Sequence, residues 1–173
     1  MKPLTMLFAL LVSSLCLSAQ NNVINSFVDK YKDLDNVTHV NISGGLLDII
    51  SKATDENGER TFLSKLNTLR VLSVPNRAAI KASDLTALRQ GIQANNYEEL
   101  IKIRDGKDLV YIYLHENKDQ VIEELIVLVE DPDEVTLVSL SGLMYYEDLQ
   151  KLELDGEAGE ALNRLPSKEE PRP

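Results

Sequence analysis

The chain has 173 residues, is 43% hydrophobic and 27% charged, and sets 28 acidic residues against 18 basic ones for a net charge of −10. That length fits one domain of about 100–200 residues, large enough to bury a core without the help of disulfides or metals, and a single cysteine allows no disulfide within the chain. So large an acidic excess excludes a general binder of nucleic-acid phosphates or anionic lipid heads, since both would be repelled.

Residues 1–19 read as a signal peptide. Lys2 supplies the positive start, an apolar stretch runs from Leu4 to Leu17 with breaks at Thr5, Ser13 and Ser14, and Leu17-Ser18-Ala19 offers a small-residue cleavage site before Gln20. The apolar run is shorter than the roughly 20 residues a membrane span needs. Cys16 raises the alternative of a lipoprotein signal, but that pattern wants a small residue before the cysteine and Leu15 is bulky. The expectation is cleavage after Ala19, a periplasmic or secreted location, and no lipid anchor, with an outer-membrane lipoprotein as the alternative. Losing Lys2 and Cys16 would leave 17 basic residues against 28 acidic, a net charge of −11, no thiol and no membrane-spanning segment.

After Asn22, Ile24, Phe27, Val28, Tyr31 and Leu34 recur at helical spacing and predict an amphipathic helix, ended by Asp35-Asn36. Residues 37–43 alternate, with Val40 and Ile42 opposite His39 and Asn41, as a strand does. Gly44-Gly45 turns the chain into a helix whose apolar set is Leu46, Leu47, Ile49, Ile50 and Ala53. A polar loop at 55–59 and a short helix at 62–66 follow. Residues 69–74 read as a strand stopped by Pro75. Ser83 is placed to cap a helix striped by Leu85, Leu88 and Ile92.

Four strand-like runs then occupy 98–104, 109–116, 121–130 and 135–143. Between them lie Asp105-Gly106-Lys107-Asp108, Asn117-Lys118-Asp119-Gln120 and Asp131-Pro132-Asp133-Glu134, residues with the backbone freedom or side-chain acceptors that tight turns use. Short turns force antiparallel neighbours, so this is a four-strand meander. A closing helix over 145–154 would face Tyr146, Leu149 and Leu152 inward, and residues 155–173 form a polar tail with three prolines. The predicted architecture is one α+β domain over 20–154, with a mixed, largely antiparallel sheet, the meander at its C-terminal end and helices packed mainly on one face.

The wording of several segments carries a resemblance. Val40-Asn41-Ile42-Ser43 precedes a Leu-rich helix, then come Leu69-Arg70-Val71-Leu72, Tyr97-Glu98-Glu99-Leu100, Lys102-Ile103-Arg104-Asp105, Glu123 to Leu128 and Leu140-Ser141-Gly142. In this order they resemble domain of unknown function 4252, a family of exported proteins from Bacteroidetes bacteria, over roughly residues 22–152. The resemblance implies a Gram-negative envelope location, often with a lipid anchor, from which the poor lipobox here departs. It implies no activity, cofactor or catalytic residue. It also raises a regulatory role in envelope-stress signalling.

Residue by residue, chemistry is sparse. His39 and His115 are the only histidines, and no spacing brings them together as metal ligands or as an acid–base pair. Gly44-Gly45 lacks the glycine spacing and lysine of a phosphate loop, and Ser139-Leu140-Ser141-Gly142 is not a nucleophile elbow. The acidic runs 55–59 and 131–134 lack the ligand spacing of a calcium loop. No catalytic, metal or cofactor residue is assigned. The lead is the sheet itself: Leu109, Tyr111, Tyr113 and His115 share one side of a strand and Val110, Ile112 and Leu114 the other, so both faces are bulky. The expected function is a non-enzymatic binding or interaction module of the envelope, presenting Tyr111, Tyr113 and His115 to a protein or peptide. The alternatives are a small periplasmic hydrolase or metal-dependent enzyme using a histidine, and the regulatory role.

Overall fold

The computed structural model describes residues 22–53 and 62–149. The expected signal peptide, the 55–59 loop, Leu152 and the polar tail lie outside the described residues. The elements run α1 (Asn22–Tyr31), β1 (Thr38–Ser43), α2 (Gly44–Ala53), β2 (Leu66–Val74), a 3-10 turn (Arg77–Ala79), α3 (Ala82–Ala94), β3 (Glu98–Asp105), β4 (Asp108–Glu116), β5 (Ile122–Glu130), β6 (Val135–Met144) and α4 (Tyr146–Leu149).

The strands form one six-stranded sheet in the order β1-β2-β6-β5-β4-β3. The α+β class and the meander are as expected, and all five pairings are antiparallel. The turn residues act as their chemistry requires. Gly106 takes a φ of 55° in the first hairpin. The Asn117 side chain accepts the backbone N–H groups of Asp119 at 2.9 Å and Val121 at 3.2 Å. Asp131 does the same for Asp133 at 2.7 Å and Glu134 at 2.6 Å.

Alternation along each strand divides the core in two. On one face α1 brings Ile24, Phe27, Val28 and Tyr31, and α3 brings Leu85, Leu88 and Ile92, against Leu72, Leu137, Ile126, Leu128, Tyr111 and Tyr113. The chain must travel from β2 to β3 at the opposite edge, and α3 makes that crossing. On the other face Leu47 of α2, Phe62 and Leu149 of α4 pack against Val110, Ile112, Leu114, Leu125, Val127 and Leu140. Each fully buried Leu or Ile stabilises the fold by about 1.5–3 kcal/mol. Helices therefore occupy both faces, rather than mainly one, with α1 and α3 on the first and α2 and α4 on the second.

Polar ties fix these layers. Lys30 reaches Asp84 in the first turn of α3 at 2.5 Å, and the Tyr31 hydroxyl donates to the same carboxylate. Lys65 grips both oxygens of the buried Asp148, at 2.6 and 2.7 Å, while Asp148 accepts the Tyr145 N–H at 2.9 Å and so caps α4.

Several local expectations change. Helix α1 stops at Tyr31 and leaves Leu34 40% exposed. Helix α2 buries Leu47 but leaves Leu46 and Ile49 exposed, because apolar positions spread over so wide an arc cannot all face one sheet. Helix α3 begins at Ala82, so Ser83 lies inside it, and its cap residue Lys81 makes no side-chain cap bond. Leu66, expected to end a short helix, opens β2 instead. The 3-10 turn after Pro75 is capped by Asn76, whose side chain accepts the Ala78 N–H at 3.1 Å.

Candidate functional site

The face covered by α1 and α3 is not uniform. Cross-strand register aligns Ser43 with Thr68, Thr68 with Ser141, Ser141 with Glu124, and Glu124 with His115, a polar row across five strands. The adjacent row holds Asn41, Arg70 and Ser139 before it meets Ile126. Above these positions α1 contributes Ile24 and Asn25. Together Ile24, Asn25, Thr68, Arg70, Glu124, Ser139 and Ser141 line a recess of about 140 Å³.

Within it, Arg70 Nη1 donates to Asn25 Oδ1 at 2.5 Å, which moors the middle of α1 to β2. Glu124 receives two hydroxyls: Ser139 Oγ donates to Oε1 at 2.8 Å and Tyr97 Oη to Oε2 at 2.5 Å. Burial, and then the hydrogen bond to Glu124, hold the Tyr97 phenol well above its ordinary range, so it remains a donor. Among the described residues, the rest of the Arg70 fork and the hydroxyls of Thr68 and Ser141 have no hydrogen-bond partner. The recess thus combines one guanidinium with spare donors, one carboxylate and two uncommitted hydroxyls. A second hollow of about 150 Å³ between α1 and α3 is lined mostly by apolar groups such as Val23, Phe27 and Leu88, and its Lys30 and Asp84 are already paired to each other.

The sequence-predicted face fares differently. Tyr111 is 6% exposed and Tyr113 fully buried, because α1 and α3 lie on their side of the sheet. Their rings stack at 6.0 Å, and Arg89 and Lys102 lie 5.4 and 5.3 Å from the Tyr111 ring. Neither tyrosine can be presented to a partner. His115 is half-buried at the border of the recess, its ring 5.3 Å from that of Tyr97 and its Nδ1 3.7 Å from Glu123. His39 is exposed on β1, with β2, β6 and β5 between it and the strand of His115. The two histidines are not brought together, and among the described residues no cluster of three or more His, Cys, Asp or Glu could hold a metal. Gly44 serves packing, since a Cβ there would lie 3.2 Å from the Asn67 carbonyl.

Sequence reading missed Asn25, Thr68, Arg70, Tyr97, Glu124 and Ser139 as a set. The available signal was the change of character along single strand faces: Thr68 and Arg70 precede Leu72 and Val74 at alternate positions, and Ser139 and Ser141 follow Val135 and Leu137. Among the described residues no helix is long and apolar enough to cross a membrane. The family model described as Domain of unknown function (DUF4252) matches residues 31–152. No curated protein and no solved structure matches the chain.

Proposed function

Because the chain belongs to the DUF4252 family, which carries no reaction to transfer to it, we propose from the recess itself that the protein is an exported, non-enzymatic binding module of the cell envelope whose ligand is a small zwitterion of the free α-amino-acid type. The observation that carries this reading is Arg70. Its guanidinium has five N–H donors in a planar fork suited to a carboxylate, and Asn25 is its hydrogen-bond partner among the described residues. Thr68 and Ser141 stand ready to donate beside it. Glu124 keeps acceptor capacity after receiving Tyr97 and Ser139, since a carboxylate offers about four lone-pair sites, and that capacity suits an ammonium group. The cavity of about 140 Å³ is well below the 300 Å³ at which drug-sized sites begin. Charge balance within the recess favours a ligand that carries both signs over a simple anion.

Isothermal titration of the full chain with free amino acids, acetate and methylammonium tests the reading. The expected result is binding of amino acids, none of acetate or methylammonium alone, and at least a tenfold loss in both Arg70→Gln and Glu124→Gln, about 1.4 kcal/mol in each. Binding unaffected by either substitution, or no binding of any zwitterion by the folded protein, contradicts it.

A further inference from the structure

The recess holds more polar groups than two ligand charges require. Arg70 stands on β2 and Glu124 on β5, with β6 between them, and they are offset by two residues in register, since Arg70 pairs with Ser139 and Glu124 with Ser141. A ligand that meets both must lie obliquely over β6. Ser139, directly opposite Arg70, already donates to Glu124 Oε1 at 2.8 Å. Thr68 and Ser141 remain. They face each other across the β2–β6 pair, which puts their Cβ atoms about 4.5–5.5 Å apart. Thr68 also lies two residues from Arg70 on the same side of β2, about 7 Å along the strand. Both hydroxyl residues are half-buried, both line the recess, and neither has a hydrogen-bond partner among the described residues.

Resting on the reading of the recess as an amino-acid site, we infer that this hydroxyl pair is its specificity determinant and that the ligand is a small hydroxy amino acid, of which serine is the simplest. A carboxylate on Arg70 and an ammonium on Glu124 account for two substituents of the α-carbon. The side chain is left to the corner formed by Thr68 and Ser141, or to Ile24 of α1. Ile24 is the one apolar residue of the lining, and at 2% exposure it is packed into the core and offers an aliphatic group almost no surface. A hydroxyl both donates and accepts, as those of Thr68 and Ser141 do, so a ligand hydroxyl can bond to either. An aliphatic side chain would instead strip water from two hydroxyls and replace none of its hydrogen bonds. Sites built to bond a hydroxyl reject the analogue that lacks it for this reason. The volume of about 140 Å³ also suits a one-carbon side chain better than a long one. Arg70, Glu124 and the hydroxyl pair do not fall on one line, so they distinguish a ligand from its mirror image.

The test is isothermal titration of the full chain with both enantiomers of serine, alanine and leucine. The expected order is serine, alanine, leucine, with about tenfold or more between serine and alanine of the same hand, and as much between the two serines. Thr68→Val and Ser141→Ala together, with the fold checked by circular dichroism, should bring serine and alanine to within about threefold of each other. Arg70→Gln should weaken both amino acids alike and leave their ratio unchanged. Alanine or leucine bound as tightly as serine, equal affinity for the two serines, or a serine preference that survives in the folded double variant would each overturn the inference and leave the amino-acid reading of the recess standing. No amino acid bound by the folded parent would overturn both.

Discussion

Two rows of residues cross the same face of this sheet four positions apart along each strand. One runs His39, Leu72, Leu137, Leu128, Tyr111 and Lys102; the other runs Ser43, Thr68, Ser141, Glu124 and His115. They share strands, hydrogen-bond pattern and side of the sheet, and lie about 13 Å apart at strand rise. Only the side chains differ. The middle of the first row, Leu72, Leu137, Leu128 and Tyr111, is packed beneath α1 and α3, with Leu128 fully buried. The second surrounds a recess holding a cation with unused donors. The contrast separates what the fold requires from what it tolerates: the apolar row supplies burial energy, and the polar row forgoes it. Such a local departure from the core pattern is where function is expected, since groups chosen for binding are seldom those chosen for stability.

The sharpest way to break this comparison is at the apolar row. Leu128→Ala should lower unfolding free energy by about 3 kcal/mol, through lost transfer energy and a residual cavity, as read from urea denaturation. A cost under about 1 kcal/mol would mean that this row does not anchor the core.

Next in size is Gly142→Ala, beside the polar row on β6. An added Cβ would sit 2.3 Å from the Lys65 carbonyl oxygen and 2.8 Å from Leu66 Cα, both backbone atoms that cannot swing away. The Leu143 N–H also bonds the Lys65 carbonyl at 3.0 Å. The expected loss is about 1–3 kcal/mol, measured in the same assay. It would show that the polar end is held by backbone packing rather than by its polar side chains.

Two tyrosines refine the contrast further. Tyr97→Phe removes a donor to Glu124 and should cost about 1 kcal/mol. Tyr113→Phe removes a buried hydroxyl that has no hydrogen-bond partner among the described residues, so it should be neutral or stabilising. Both phenols are held above their ordinary value, each chiefly by burial. The unfolded chain therefore ionises first as pH rises. The contribution of these two phenols to stability should be constant below about pH 10 and fall above it, and each Phe variant should show a shallower alkaline loss than the parent. An equal alkaline slope in Tyr113→Phe would contradict the burial assigned to it.

Much of the scaffold was legible in the sequence because its signals are local. Turn residues such as Gly106, Asn117 and Asp131 act on their own neighbours, and the stripes of α1 and α3 repeat within a few turns. The recess was not legible, because it depends on register between strands far apart in the chain: Thr68 meets Ser141 and Glu124 meets His115 only once the sheet is assembled. Alternation in β4 shows that two faces exist but not that helices cover both, so a partner-binding role for Tyr111 and Tyr113 fits the strand pattern although both residues are core. The excess apolar content of α2 has a similar origin. Leu46 and Ile49 fit a helix pattern without facing the sheet.

The smallest expected effect on stability is also the most direct test. Replacing Thr68, Arg70 and Ser141 together (Thr68→Val, Arg70→Met, Ser141→Ala) removes the uncommitted donors of the recess while keeping its volume close to that of the parent. Urea unfolding of this variant beside the parent should show a free energy lowered by about 1 kcal/mol at most, the Arg70–Asn25 hydrogen bond being lost while the unpaired hydroxyls of Thr68 and Ser141 give way to apolar groups of similar shape, while amino-acid binding is abolished. A loss of 3 kcal/mol or more, comparable to Leu128→Ala, would show that the polar row is part of what holds the fold together and would contradict the account.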